Sequence, residues 1–196
     1  MNRDRLGWVV MAVAVILAGC RIGSINPVHR EGELFDGGFL GAWVEKAGKD
    51  KDRDKVNLLV VSPGESASVY RIEYTGSSGV KGEVCGWLVP LAGIILLEVA
   101  PNSGAGNELV DYCLIPAFSL FAIERKTDTV SFRLLDRGVL AKYLSAHPSE
   151  IEFNIRGKDE DVFITSGTDK YRAFLEKYLK ERGVLEKEPH AFRRVK

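Results

Sequence analysis

Residues 67 to 74, ASVYRIEY, set Tyr70, Ile72 and Tyr74 against Val69, Arg71 and Glu73 in strict alternation. A period of two puts one set of side chains on each face of an extended strand, so this stretch needs a sheet with an apolar side to cover. It is not alone. FLGAWVEK (39 to 46), KVNLLVVS (55 to 62) and VKGEVCGWLV (80 to 89) are equally short, rich in β-branched and aromatic residues, and separated by the turn-forming SPGES and TGSSG. GIILLEVA (93 to 100) is apolar at every position from Ile94 to Leu97, which predicts a strand covered on both faces. Pro90 and Gly93 interrupt the apolar run from 84 to 97, so it reads as a tight strand connection and not as a membrane span. AFSLFAIERK (117 to 126) and TVSFRLLD (129 to 136) make a hairpin about Thr127-Asp128, and IEFNI (151 to 155) with DVFIT (161 to 165) makes another.

Two helices interrupt this series. The spacing predicts a short one over about 137–146, with Val139, Leu140, Tyr143 and Leu144 on one face and Pro148 beyond its end. A second, amphipathic helix is expected to start at a Thr168 cap and to carry Tyr171, Phe174, Leu175, Tyr178 and Leu179 on one stripe, ending at Gly183. That stripe needs a surface to cover, and the strand at 94–97 is the candidate. About eight to nine mostly antiparallel strands, one interposed helix and a C-terminal helix predict a mainly β protein built as a closed or nearly closed barrel. The domain is expected over residues 34–183. Residues 20–33, with Gly, Pro, Asn and charge but no periodicity, read as a tether, and 184–196 as a flexible tail.

Gly41 and Trp43 in FLGAWVEK match the Gly-x-Trp opening of lipocalin-like (calycin) barrels. The order GWLVPLAGIILLEVAP, LIPAFSLFAIE, FITSGTDKYRAFLEKY resembles a group of uncharacterised bacterial lipocalin-like proteins that carry a terminal helix. The resemblance spans roughly residues 38–182 and departs at Ala117, where the group often has His. It implies the barrel and no particular activity.

Arg3 and Arg5 precede an uncharged stretch from Leu6 to Gly19, the layout of a signal peptide over residues 1–19. As a helix that stretch would reach only about 21 Å across a hydrocarbon layer of about 30 Å. The quartet Leu17-Ala18-Gly19-Cys20 resembles a bacterial lipobox. The resemblance implies cleavage between Gly19 and Cys20 and a lipid anchor, with palmitate-type chains, on Cys20. Two acyl chains, at about 0.8 kcal/mol per buried methylene, suffice for stable attachment. Arg21 follows where an Asp would signal inner-membrane retention in enteric lipoproteins, so the resemblance favours the outer membrane of a bacterial cell envelope. In the alternative reading, an ordinary secretory signal, Cys20 is incidental.

The 27 basic and 27 acidic side chains balance to a formal charge of +0, which argues against a nucleic-acid partner or an electrostatic membrane binder. Cys85 and Cys113 remain as an even pair for an oxidising compartment. They form either a disulfide worth about 3.5 kcal/mol by chain entropy or two buried thiols. His29, His147 and His190 have no second ligand at metal spacing, so no metal or cofactor is expected. GESAS (64 to 68) lacks the closing glycine and the following helix of a nucleophile elbow and reads as a turn. GAG (104 to 106) lacks the third glycine of a phosphate cradle. DKDRD (50 to 54) interleaves the acids of a would-be calcium loop with cations and reads as a solvated hairpin tip. Tyr70, Tyr74, Trp87, Phe118, Phe121 and Phe132 either line a ligand cavity or fill the barrel. The expected function is therefore a membrane-anchored, non-enzymatic binding module with a small apolar ligand as candidate partner. The alternatives are a solid barrel that binds another envelope protein in assembly, and an enzyme whose polar groups converge only on folding.

Overall fold

The computed structural model describes residues 22–30, 33–46, 56–76, 79, 81–101, 117–157 and 161–195. In chain order the strands are β1 (Ile22–Ser24), β2 (Gly41–Lys46), β3 (Val56–Pro63), β4 (Tyr70–Thr75), β5 (Lys81–Leu91), β6 (Ile94–Pro101), β7 (Ser119–Lys126), β8 (Thr129–Leu134), β9 (Phe153–Arg156), β10 (Asp161–Ile164) and β11 (His190–Arg194). The helices are α1 (Arg137–Ala146) and α2 (Thr168–Tyr178). Eight antiparallel strands, in the order β11-β2-β3-β4-β5-β6-β7-β8, close a lipocalin-like barrel. A separate three-stranded sheet, β1-β10-β9, lies outside it, so the hairpin at 151–165 is not part of the barrel wall.

Alternation explains the wall. In β4, Tyr70 and Ile72 are buried while Arg71 and Glu73 are exposed. β5 and β6 are covered on both faces, as the apolar run requires. Leu88, Leu97 and Val99 join the interior cluster with Trp43, Tyr70 and Phe132. Val89, Leu91 and Leu96 join an outer cluster with Tyr171, Phe174, Leu175 and Tyr178 of α2. Burying each such Leu or Phe contributes roughly 1.5–3 kcal/mol. Gly86 marks how tightly the middle of the barrel is filled, since a Cβ there would come 2.7 Å from Ile72 Cδ1.

One end of the barrel is plugged. A 3-10 turn at Gly37–Phe39, capped by Asp36 accepting from Gly38 N, drives Phe39 into the interior. Phe39 meets Tyr70 edge-on at 5.3 Å, and its carbonyl accepts from Trp43 Nε1 at 3.0 Å. Arg194, from the last strand, lies 4.2 Å over the Trp43 ring and donates to the carbonyls of Leu40 at 3.0 Å and Gly38 at 2.6 Å. Gly41 has φ +126, and a Cβ on it would lie 2.9 Å from Arg194 Nη1, so this place takes no side chain. Stacking and directed hydrogen bonds thus join the first and last wall strands.

Several expectations are corrected. The tail is not loose: β11 pairs with both β2 and β8 and closes the barrel. Its inward residues His190, Phe192 and Arg194 include only one apolar side chain, so no hydrophobic alternation advertised the strand. The tether is packed over residues 22–30. Ile22, Gly23 and Ser24 are buried in parallel pairing with β10, and Val28 is buried against the outer wall. Thr168 is the first residue of α2 and not its cap; Gly167 holds that place without a side-chain bond, and the helix ends at Tyr178, before Gly183. Helix α1 has the expected span, with Asp136 accepting from Val139 N at 3.0 Å. GESAS turns between β3 and β4, with Gly64 N donating to Val69 O at 2.8 Å. The segments DKDRD and GAG, and Cys20 and Cys113, lie outside the described residues.

Candidate ligand site in the barrel mouth

Strand parity decides which side chains enter the barrel. On β2, Glu45 shares the face of Trp43; on β3, Asn57 shares that of Leu59; on β4, Tyr74 shares that of Ile72; on β11, His190 shares that of Phe192. Each of the four lies toward the end of its strand away from the Phe39 plug, so they converge at the opposite mouth. Asn57 Nδ2 donates to Glu45 Oε2 at 2.8 Å, and His190 Nδ1 lies 3.3 Å from Glu45 Oε1. The Glu45 side chain is 20% exposed and that of His190 59% exposed, so the carboxylate sits below an accessible imidazole. Burial, and then the negative charge of Glu45, push the Tyr74 hydroxyl above the ordinary tyrosine range. Tyr74 therefore stays protonated as a hydrogen-bond donor through neutral pH.

Below and beside this ring the wall is apolar. Leu59, Val99 and Phe132 are buried there, and Val84 and Phe121 are half-buried. Together they make an apolar wall under a few convergent polar groups, the usual composition of a small-molecule site in a barrel mouth. Chemically, a carboxylate with spare acceptor capacity, a tyrosine donor and an exposed imidazole suit a donor-bearing polar head above a hydrocarbon body.

The six aromatic residues expected either to line a ligand cavity or to fill the barrel divide between two places. Tyr70, Tyr74, Phe121 and Phe132 belong to the interior, with Tyr70 held in the plug by Asp36 N donating to its hydroxyl at 2.6 Å. Trp87 and Phe118 do not: Trp87 has the outward parity of Val89, and its ring centroid lies 6.3 Å from that of Phe118. Both pack around His29, whose Nδ1 is 2.6 Å from Glu98 Oε2. Glu98 is fully buried on the outer wall and also accepts from Val28 N at 2.6 Å and His29 N at 2.9 Å. His147 caps α1, its Nδ1 2.9 Å from Tyr143 O. The outward Cys85 is half-buried and unbridged among the described residues. Burial, with Glu65 and Glu83 nearby, raises its thiol pKa, so it stays protonated.

Glu45, Asn57 and His190 were not singled out from the sequence as a group. The alternation Trp43-Glu45 beside Leu59-Asn57 carries the signal for the first two, an acid and an amide on inward strand positions. Nothing local pointed to His190, because its strand is invisible without its partners. Among the described residues no group of three or more His, Cys, Asp and Glu could hold a metal ion. No family model matches this chain, and no curated protein and no solved structure matches it.

Proposed function

We propose that this chain is a lipid-anchored envelope lipoprotein whose barrel binds a small amphipathic molecule in its mouth, without catalysis. The anchor is Cys20 and the favoured location is the outer membrane, both supported by the lipobox-like quartet and Arg21. One observation carries the ligand reading: Glu45, Asn57, Tyr74 and His190 face inward at the end away from the Phe39 plug, over an apolar wall of buried and half-buried residues. A hydrocarbon portion would lie against Val84, Val99 and Phe121, while the polar head replaces water around Glu45 and Tyr74.

Native mass spectrometry of the chain purified from its own host tests this. The expected result is a co-purified small molecule in addition to any covalent lipid, retained by the unsubstituted protein and reduced in Glu45→Gln and Tyr74→Phe. A barrel that carries nothing, and takes up no amphiphile offered to it, rejects the reading. The close packing around Gly86 and the filled plug half favour a second reading, a largely solid barrel that binds another envelope protein through its outer surface. A stoichiometric protein adduct in the same spectrum would support that one.

A further inference from the structure

We propose that the plugged end of the barrel rests in the bilayer interface, with the tip of the β5–β6 hairpin seated among lipid headgroups and upper acyl chains and the mouth directed away. The proposal depends on the lipid-anchored reading above and adds the orientation that the anchor imposes.

Reach comes first. Only Arg21 separates Cys20 from Ile22, the first residue of β1. Two Cα-to-Cα steps span at most about 7.6 Å, so acyl chains on Cys20 would hold the start of β1 at the membrane surface. Since residues 22–30 are packed into the fold, the domain does not swing on a long leash.

Direction comes next. Ser24 and Phe118 exchange backbone hydrogen bonds of 2.9 and 2.8 Å in antiparallel pairing, so β1 runs against β7. β7 leads to the Thr127-Asp128 turn, where Asp128 O accepts from Arg194 N at 3.0 Å beside the plug. β1 therefore lies beside the mouth-end start of β7, and its N-terminal end points along the barrel toward the plug. The β5–β6 turn projects at that same end, because Leu88 bridges to Leu34, just before the plug turn.

That tip is apolar and open. Residues 84–97 carry no charge. Pro90 and Gly93 are exposed, Ile95 is 36% exposed, and the neighbouring Leu34 and Phe35 are 39% and 42% exposed. The two-residue turn Ala92-Gly93 has φ 51 and 81, and Ala92 is the one non-glycine residue with positive φ among the described residues. Such turns favour Asn, Asp or Gly at the first central position, and an L-alanine there costs about 1–2 kcal/mol. A water-facing hairpin gains from the polar residue in both strain and solvation. A tip buried in lipid gains from the methyl group. Interfacial seating of about 5–10 Å is the depth such apolar surfaces reach in a membrane.

The test uses the acylated chain, with Cys85→Ser and Cys113→Ser, carrying one reporter cysteine at either end of β5. Pro90→Cys marks the tip and Lys81→Cys the mouth, each labelled with an environment-sensitive fluorophore. The labelled chain is reconstituted into phosphatidylcholine–phosphatidylglycerol vesicles that contain a lipid with a nitroxide high on its acyl chain. The expected result is severalfold stronger quenching at residue 90 than at residue 81. Adding Ala92→Asp, which suits the turn, should bring residue 90 down toward the level of residue 81. Equal quenching at both places, on a chain whose mass shows the acyl groups, overturns the orientation and leaves the anchor standing. A chain whose mass shows no acyl group overturns the anchored reading and the orientation with it.

Discussion

The imidazole of His29 lies flat on the indole of Trp87, with ring centroids 4.0 Å apart and planes 3° from parallel. Its Nδ1 meets Glu98, a carboxylate buried on the outer wall of the barrel. The contact pins a segment of chain that local sequence describes as a linker. Arg172 extends the fastening, donating to Val28 O at 2.7 Å and to Glu33 Oε1 at 2.8 Å.

Among the described residues, removing the imidazole would leave the buried Glu98 side chain with the two backbone donors at Val28 and His29. His29→Ala should therefore destabilise the protein by about 1–3 kcal/mol, the usual penalty for leaving a buried polar group short of a hydrogen-bond partner. Urea titration measures this, and limited proteolysis should cut earlier between residues 22 and 33. Unchanged stability would mean that the segment is held by β1 pairing alone.

Arg194 should be irreplaceable by lysine. A lysine keeps one charge but loses the planar stack on Trp43 and the paired donation to Gly38 and Leu40. Arg194→Lys is expected to cost about 2 kcal/mol. Truncation after Pro189, which deletes β11, should abolish the cooperative unfolding transition altogether. A truncated chain that still melts in one sharp step would show that the barrel does not need its closing strand.

Tyr178 is fully buried between the helices and the barrel, and its hydroxyl has no hydrogen-bond partner among the described residues. Removing an unsatisfied hydroxyl while keeping the ring should help. Tyr178→Phe is expected to stabilise the fold by about 1 kcal/mol, read from the denaturant midpoint at an unchanged slope. A loss of stability would reveal a partner for that oxygen.

Alkali should unfold this protein cooperatively. Burial is the leading cause that raises the pKa of Tyr70, Tyr74, Tyr171 and Tyr178 above the ordinary value of 10.0. A raised folded-state value means that the native state holds these protons more tightly than the unfolded chain. The stabilisation is complete below the unfolded value of about 10 and declines as pH rises through the folded values. Tyrosinate absorbance should therefore lag behind that of the denatured protein and then rise together with the loss of β-sheet circular dichroism. Independent titration of all tyrosines near pH 10, with the fold intact, would contradict the burial argument.

Local chemistry alone determined much of this chain. Helix α1 is legible from the Val139, Leu140, Tyr143 and Leu144 spacing with Pro148 beyond its end, and β4 from the alternation of Tyr70, Ile72 and Tyr74, because each signal lies within a few turns or a few strand residues. The barrel class follows from summing such strands. Tertiary structure decided the rest. β11 exists because β2 and β8 offer backbone partners on both sides, and Phe192 alone could not announce it. The segment at 22–30 is ordered by pairing with β10 and by Glu98, 69 residues away from His29. The mouth pair Glu45 and His190 are separated by 145 residues. Periodicity reports only which way a side chain faces within its own element, whereas a site is made by which elements close upon one another. That choice depends on long-range backbone pairing and on where buried charges find partners.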